Sequence, residues 1–364
     1  MNFQSIANQF VCDVPVYEPG RPIEEVAREL GLKPGSIIKL ASNENPLGPS
    51  PKAVVAMRRA LATAHLYPDG GGFYLRQALA KKLGVERDNV VLGTGSNEVI
   101  EFLYHAFVAP GDEVVAGDRA FVIYSIMAKM FQARCVEISF RGHTHDLPAM
   151  REAITPRTKL VFIANPNNPT GTRVSNADLD QFIRDLPPHV IAVLDEAYIE
   201  FLDDPPPSIQ YALTRNVVLL RTFSKIVGLA GTRIGYGIAQ KDCIALLQRV
   251  RQPFNVNAIA QAGALAALGD AAHIRKTKTL TRRGLTFLSK AFDRLKLEHV
   301  PSCANFVLVN VGDGDGIFRG LQRRGVIVRP MRGYQMPEWI RVTVGLPAEN
   351  KRFIAALQEE LKAS

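Results

Sequence analysis

Short apolar runs alternate with amphipathic stretches through the middle of the chain. The apolar runs predict strands at 89–92, 113–116, 159–164, 190–194, 216–220 and 233–238. The amphipathic stretches between them predict helices at 97–108, 122–131 and 176–186. Strands that are apolar on both faces and alternate with helices are typical of a mostly parallel sheet covered on both sides. The pattern therefore predicts an open α/β fold.

The rhythm of elements changes after about residue 240. Helices are predicted at 242–252 and from 257 onwards, strands at 305–310, 325–328 and 340–344, and helices near 316–324 and 349–362. This order predicts a smaller α+β domain, on which the N-terminal arm with its short helix at 23–30 is expected to pack. We therefore assign residues 1–40 to the arm and part of the small domain, 41–265 to the large domain, and 266–364 to the C-terminal small domain.

Composition narrows the class of protein. No apolar run approaches the roughly 18 residues that span a bilayer, and the N-terminus lacks the pattern of a signal peptide, so a cytoplasmic location is expected. The four cysteines are far apart, which favours reduced thiols and suggests neither a disulfide framework nor a metal site. The net charge of +9 is spread along the chain, and its densest run, 275–283, is expected to form a solvated helix face. Neither nucleic acid nor a membrane is therefore an expected partner.

Four segments that contain candidate catalytic or ligand-binding residues follow predicted strands. This is where open α/β sheets bind ligands. They are 93–98 (GTGSNE), 165–171 (NPNNPTG), 194–198 (LDEAY) and 221–233 (RTFSKIVGLAGTR). The first opens a helix, where backbone N–H groups and the helix dipole favour an anion, although an ordinary capped turn would have the same sequence. The second is a rigid polar turn that can present an amide to a ligand. The third places a carboxylate where it can pair with a protonated ring nitrogen, although a lone Asp there is more often a helix cap.

The fourth segment contains Lys225. Thr222, Ser224 and Arg233 surround this lysine with groups suited to a phosphate. A lysine amine held partly neutral is nucleophilic and can form a Schiff base with an aldehyde cofactor. Taken alone, the segment also fits a surface lysine. The four segments are informative because they occur together, in the order phosphate loop, Asn turn, Asp strand end and Lys loop.

Together these strings resemble the fold type I pyridoxal-phosphate (PLP) aminotransferases over nearly the whole chain. The resemblance implies a fold type I PLP-dependent transferase, with a mostly parallel, seven-stranded sheet in a large PLP-binding domain and a smaller α+β domain. It also implies a catalytic set in which Lys225 holds the cofactor and moves the reacting proton, Asp195 pairs with the pyridinium nitrogen, and Tyr198 binds the phenolic oxygen. The other implied cofactor-binding residues are Gly95, Ser96, Asn97, Phe121, Asn168, Thr222, Ser224, Arg233 and, from the neighbouring subunit of a homodimer, Tyr67.

Flanking strings resemble the histidinol-phosphate aminotransferase family more closely. They are 16–21 (VYEPGR), 41–48 (ASNENPLG), 66–70 (LYPDG), 325–330 (GVIVRP) and 339–345 (WIRVTVG). This resemblance implies small-molecule substrates: L-histidinol phosphate and 2-oxoglutarate would give imidazole-acetol phosphate and L-glutamate, a step of histidine biosynthesis. Arg341 matches the arginine that clamps the substrate's anionic end, a role that suits a guanidinium fork. Tyr17, Asn43 and Arg329 match other positions of the substrate site.

Three alternatives stay open on the same framework. An aromatic amino-acid aminotransferase or a threonine-phosphate decarboxylase would carry nearly the same motifs. Phe121 also lacks the hydroxyl that a tyrosine would bring to the stacking position, so stacking is kept but a hydrogen bond is lost. A PLP-sensing regulator would need an added DNA-binding domain, for which residues 1–40 are expected to leave no room. An enzyme is therefore the favoured interpretation.

Overall fold

The computed structural model describes residues 2–16 and 20–363. Its strands are β1 (Ile38–Lys39), β2 (Val90–Gly93), β3 (Glu113–Gly117), β4 (Arg134–Ile138), β5 (Thr158–Ala164), β6 (Ile191–Asp195), β7 (Val217–Thr222), β8 (Gly235–Ile238), β9 (His299–Val300), β10 (Phe306–Asn310), β11 (Val326–Ile327), β12 (Arg329–Pro330) and β13 (Trp339–Thr343). They form sheets of seven, four and two strands.

The α-helices lie before, between and after these strands. They are α1 (Gln9–Cys12), α2 (Ile23–Leu30), α3 (Pro51–Ala60), α4 (Phe73–Leu83), α5 (Ser96–Phe107), α6 (Ile123–Met130), α7 (Leu147–Glu152), α8 (Asn176–Arg184), α9 (Ser208–Thr214), α10 (Lys241–Val250), α11 (Ala258–Leu268), α12 (Ala271–Leu295), α13 (Gly314–Arg323) and α14 (Pro347–Ala363). In the described part of the chain, no helix is long and apolar enough to cross a membrane.

The seven-stranded sheet has the order β2-β8-β7-β6-β5-β3-β4. Within this sheet, as far as its strands are described, β8 alone runs in the opposite direction to the others. Successive residues of β5 alternate between two cores, because side chains of a strand point to opposite faces: Val161 and Ile163 pack into one, Leu160 and Phe162 into the other. The prediction of a mostly parallel seven-stranded sheet, covered on both faces, is confirmed.

A smaller α+β unit follows. Its four-stranded antiparallel sheet has the order β12-β13-β10-β9, and its core includes residues of α12, α13 and α14. The N-terminal region packs against it, because β1 pairs in parallel with β11 and Leu40 packs into the same core. The first part of α12 packs against the large domain instead, where Ile274 contacts the core of the sheet. The exact domain boundaries stay a prediction.

The structure differs from the predicted elements in three places. The strand predicted at 233–238 begins only at Gly235, because Arg233 has a left-handed φ of +56°. The strand predicted at 325–328 is shortened to β11, and a further strand, β12, follows it in a different sheet. The helical region predicted from 257 is two helices, separated at Gly269 and Asp270, where the Asp270 side chain caps α12.

Candidate active site

A cavity of about 390 Å³ lies at the carboxyl edge of the large sheet. The segments that follow β5, β6 and β7 line it, together with the start of α5 and the loop around Ser42 and Glu44. Within the described residues a larger cavity, about 490 Å³, lies between α7 and α8, but none of the predicted site residues lines it. The side chains suited to catalysis therefore lie in the smaller of these two cavities.

The start of α5 forms one wall of this cavity. Gly95 precedes the helix with φ +77°, and a Cβ at this position would lie 2.6 Å from Nη2 of Arg233. The turn is held by Glu98, whose Oε2 accepts from the backbone N–H of Thr94 at 2.6 Å. The buried Oδ1 of Asn97 has no hydrogen-bond partner among the residues described. The wall thus combines a helix N-terminus with a close guanidinium, and both suit an anionic ligand, whereas the Asn97 oxygen is an acceptor and calls for a donor.

Hydroxyl groups from the loop after β7 face the same wall. Thr222 and Ser224 are both buried, and their oxygens lie 2.9 Å apart. The backbone N–H of Ser224 also donates to Oγ1 of Thr222 at 3.1 Å, which fixes the turn. With Ser96 and Arg233, which also line the cavity, these groups offer several donors to a phosphate.

The side chain of Lys225 projects from the same loop and lines the cavity. Its Nζ donates to the backbone oxygen of Ser42 at 3.4 Å and lies 5.7 Å from the centre of the Tyr198 ring. Burial, helped by the positive charge of Arg341, lowers the pKa of Lys225 from 10.5 to about 8. Because a neutral amine is the nucleophilic form, the site makes this lysine reactive near neutral pH.

Asp195 ends β6 and is 7% exposed. Its Oδ2 accepts from the hydroxyl of Tyr124 at 2.8 Å, and its Oδ1 from the backbone N–H of Ala197 at 3.2 Å. Burial raises the pKa of Asp195 above its usual value, while the hydrogen bonds from Tyr124 and Ala197 oppose that rise. Tyr124 is not among the site residues predicted from the sequence. The structure adds it to the site through its hydrogen bond to Asp195.

Arg341 on β13 of the small sheet reaches the edge of the cavity through Asn168. It is 7% exposed, its Nη2 donates to the backbone oxygen of Ala41 at 2.7 Å, and its Nη1 donates to Oδ1 of Asn168. The predicted asparagine turn and the predicted anion clamp are therefore in direct contact. This contact connects a strand of the small domain to the loop that follows β5 of the large sheet.

The Tyr198 hydroxyl is held by Asn43. Nδ2 of Asn43 donates to this hydroxyl at 2.9 Å, and the backbone N–H of Asn43 donates to Oγ1 of Thr343 at 2.9 Å. Asn43 is 1% exposed and has a left-handed φ of +56°, a conformation that asparagine tolerates better than most residues. Asn43 thus supports the cavity wall through Tyr198.

The remaining predicted residues have different positions. Phe121 lines the cavity, with its ring edge-on to that of Tyr124 at 5.8 Å. Tyr67 is 83% exposed and stacks on Phe254 outside the cavity. Arg329 lies on β12, directly opposite Arg341 of β13. Tyr17 lies outside the described residues.

The residues present fit PLP. The cavity unites an activated lysine, a buried carboxylate, an aromatic face and an anion cradle, which are the groups that this cofactor's aldehyde, ring nitrogen, ring face and phosphate require. In the described part of the chain, no cluster of His, Cys, Asp and Glu could hold a metal ion. The arrangement therefore suits amine chemistry on an organic, phosphorylated cofactor.

The chain matches a family model, curated relatives and a solved structure, and all of them are aminotransferases. The family model "Aminotransferase class I and II" matches residues 35–357. A histidinol-phosphate aminotransferase from Akkermansia muciniphila is 52% identical over 363 residues, which cover 99% of this chain and 100% of the relative. Histidinol-phosphate aminotransferase 1 from Cupriavidus pinatubonensis is 50% identical and covers 97% of this chain and 96% of its own. The crystal structure of the Sinorhizobium meliloti histidinol-phosphate aminotransferase in complex with pyridoxal-5'-phosphate has a TM-score of 0.90 at 28% identity, covering 99% and 98% of the two chains.

Proposed function

The chain belongs to the class I and II aminotransferases, and we propose that it transfers the amino group of L-histidinol phosphate to 2-oxoglutarate. The products would be imidazole-acetol phosphate and L-glutamate. The observation that carries the proposal is that Lys225, Asp195 and Arg233 line one cavity. Asn168 also lines it and accepts a hydrogen bond from Arg341. The near-complete coverage of the curated relatives supports the choice of substrate. We extend the proposal to the expected cytoplasmic location.

We propose PLP as the cofactor. Lys225 would bind its aldehyde, Asp195 its ring nitrogen, Phe121 its ring face, and Asn168 with Tyr198 its phenolic oxygen. The phosphate would be held by Gly95, Ser96, Thr222, Ser224 and Arg233, with Asn97 as a further contact. Bound PLP supplies an aldehyde that condenses with amines and a ring that withdraws electrons from the carbon next to the substrate nitrogen.

The protein's own residues then position the substrate and move its proton. With its pKa lowered to about 8, Nζ of Lys225 can accept the proton from the substrate's Cα and deliver it to the cofactor carbon that carries the aldehyde, and the opposite half-reaction would move a proton back to Cα. Tyr198 is buried, and burial raises its pKa, so its hydroxyl stays protonated and can donate a hydrogen bond. Arg341 holds the substrate's anionic end with its guanidinium.

The pairing of β12 with β13 favours a phosphorylated substrate. Arg329 lies directly opposite Arg341, so the two side chains project from the same face of the small sheet. The pair concentrates positive charge on this face of the small sheet, which suits a ligand with an anionic group. Two guanidinium groups could bind two substrates with different anionic groups. One half-reaction would present a phosphate and the other would present carboxylates.

We also propose a homodimer. Large apolar side chains are exposed on one part of the large domain, from α3 to α4 and around α11: Val55, Leu61, Leu66, Tyr67, Phe73, Tyr74, Phe254 and Leu265. A patch of this kind marks a protein–protein interface. Tyr67 within it would reach the cofactor phosphate of the other subunit.

Subunit complementation tests the shared site. Lys225→Ala and Tyr67→Ala subunits, co-expressed with different affinity tags, should form hybrids in which one of two sites is intact. A statistical mixture should then regain about a quarter of wild-type activity, whereas each variant alone stays impaired. A Tyr67→Ala homodimer with wild-type activity would remove Tyr67 from the site, and a monomeric wild type would remove the dimer.

A panel of amino donors tests the proposed reaction. Histidinol phosphate, phenylalanine and threonine phosphate are each offered with 2-oxoglutarate, and kcat/KM is compared, with Lys225→Ala as the blank. We expect the highest kcat/KM for histidinol phosphate. A preference for phenylalanine would make the chain an aromatic aminotransferase, and release of carbon dioxide from threonine phosphate would make it a decarboxylase; either result overturns the substrate assignment.

A further inference from the structure

Tyr124 lies at the start of α6, three residues after Phe121. Its side chain is 1% exposed, its ring stacks on Phe162 with centres 4.4 Å apart, and its hydroxyl donates to Oδ2 of Asp195 at 2.8 Å. Burial, with the nearby charge of Asp195, raises the pKa of Tyr124 well above its ordinary value. The hydroxyl therefore keeps its proton and acts towards Asp195 only as a donor.

Asp195 depends strongly on that donor. The described residues supply its carboxylate with one other hydrogen bond, from the backbone N–H of Ala197 at 3.2 Å. The titratable groups that face it are Tyr124 from α6, Glu196 and Tyr198 from the segment after β6, and Lys225 from the loop after β7. Lys225 favours the ionised carboxylate and Glu196 opposes it. Since a buried carboxylate takes up a proton when its donors are removed, the loss of Tyr124 should be felt directly at Asp195.

We propose that Tyr124 is a positioning residue, which orients Asp195 and keeps its carboxylate ionised for the ring nitrogen of the cofactor. The proposal rests on PLP as the proposed cofactor, but not on the identity of the substrate. It goes beyond the cofactor contacts themselves, because Tyr124 acts through Asp195.

Hydrogen bonds to the turn that carries Tyr124 hold its side chain in position. The backbone N–H of Tyr124 donates to the backbone oxygen of Phe121 at 3.1 Å, and the backbone oxygen of Tyr124 accepts from the hydroxyl of Tyr104 at 2.7 Å. One turn therefore supplies both the aromatic side chain for the ring face and the donor behind Asp195. A shift of this turn would move both cofactor contacts together.

The test compares Tyr124→Phe with Tyr104→Phe. Both changes delete one buried hydroxyl, and both rings pack on Phe162, but only the first hydroxyl contacts Asp195. PLP affinity is measured as a function of pH by absorbance, with unfolding followed by circular dichroism. We expect the acidic limb of PLP binding to move up by about one pH unit in Tyr124→Phe, since a lost hydrogen bond to a charged group changes its ionisation about tenfold. Tyr104→Phe loses a hydrogen bond to the backbone of Tyr124 but none to Asp195, so its acidic limb should move by much less.

A second variant keeps the test decisive if Tyr124→Phe folds poorly. Replacing Tyr124 with 3-fluorotyrosine preserves the ring and makes the hydroxyl a stronger donor, so the acidic limb should move down. Unchanged limbs in both Tyr124 variants, or an equal shift in Tyr104→Phe, would overturn the positioning role alone. A wild-type protein that binds no PLP at all would overturn both this role and the proposed function.

Discussion

Replacing Gly95 with alanine should weaken the hold on the cofactor phosphate. Gly95 has φ +77° and ψ +165°, a conformation essentially restricted to glycine, so alanine there costs about 1–3 kcal/mol of folding free energy. The new Cβ would lie 2.6 Å from Nη2 of Arg233, and the flexible guanidinium must move away. A charge-assisted hydrogen bond contributes about 1.5–3 kcal/mol, so its loss should lower PLP affinity roughly ten- to a hundredfold.

The assay titrates the apoprotein with PLP and, separately, with pyridoxal, which lacks the phosphate. Gly95→Ala should lose affinity for PLP much more than for pyridoxal. Gly35→Ala is the matched control, because an added Cβ there meets nothing within 4 Å and the backbone is not left-handed. Unchanged PLP affinity in Gly95→Ala, or equal losses for both ligands, would refute the reasoning that Arg233 grips the phosphate.

Three further expectations concern Lys225 and Arg341. Two of them concern Lys225. Because burial lowers the pKa of Lys225 from 10.5 to about 8, trace acetylation of the apoprotein should be half-maximal at Lys225 near pH 8, and a midpoint near 10.5 would contradict the account. The folded protein then releases this proton before the unfolded chain does, so apoprotein stability should rise with pH between about 8 and 10.5, a rise that Lys225→Met should lack in denaturant titrations. Arg341→Lys keeps the charge but loses the fork that contacts Ala41 and Asn168, so KM for anionic donors should rise about tenfold with a smaller change in kcat; an unchanged KM would argue against the clamp.

Continuous apolar runs explain why most of the large sheet was predictable. The strands β3, β5 and β6 are buried over almost their whole length, and their predicted bounds agree within two residues. The edge strand β4 was not predicted, because Arg134 and Glu137 are exposed and break the apolar run. Helix α4 was not predicted either: its exposed Phe73 and Tyr74 obscure the amphipathic pattern, and we attribute their exposure to the proposed dimer interface.

The candidate site was predictable where a residue directly follows a strand. Asp195 and Lys225 line the cavity for that reason, and Asn168 lies at the same edge. Tyr124 could not be found in this way, because it lies in a mostly apolar helix and meets Asp195 only in the folded protein. Contacts between distant segments, such as Arg341 with Asn168, likewise depend on how the small domain packs on the large one.

The most direct test of the account is to locate the cofactor's attachment. The purified protein, loaded with PLP, is reduced with borohydride, digested and analysed by peptide mass spectrometry. We expect a pyridoxyl adduct on the peptide that contains Lys225 and no adduct in the Lys225→Ala variant. An adduct on a different lysine, or none in the wild type, would contradict the claim that Lys225 is the centre of an aminotransferase site.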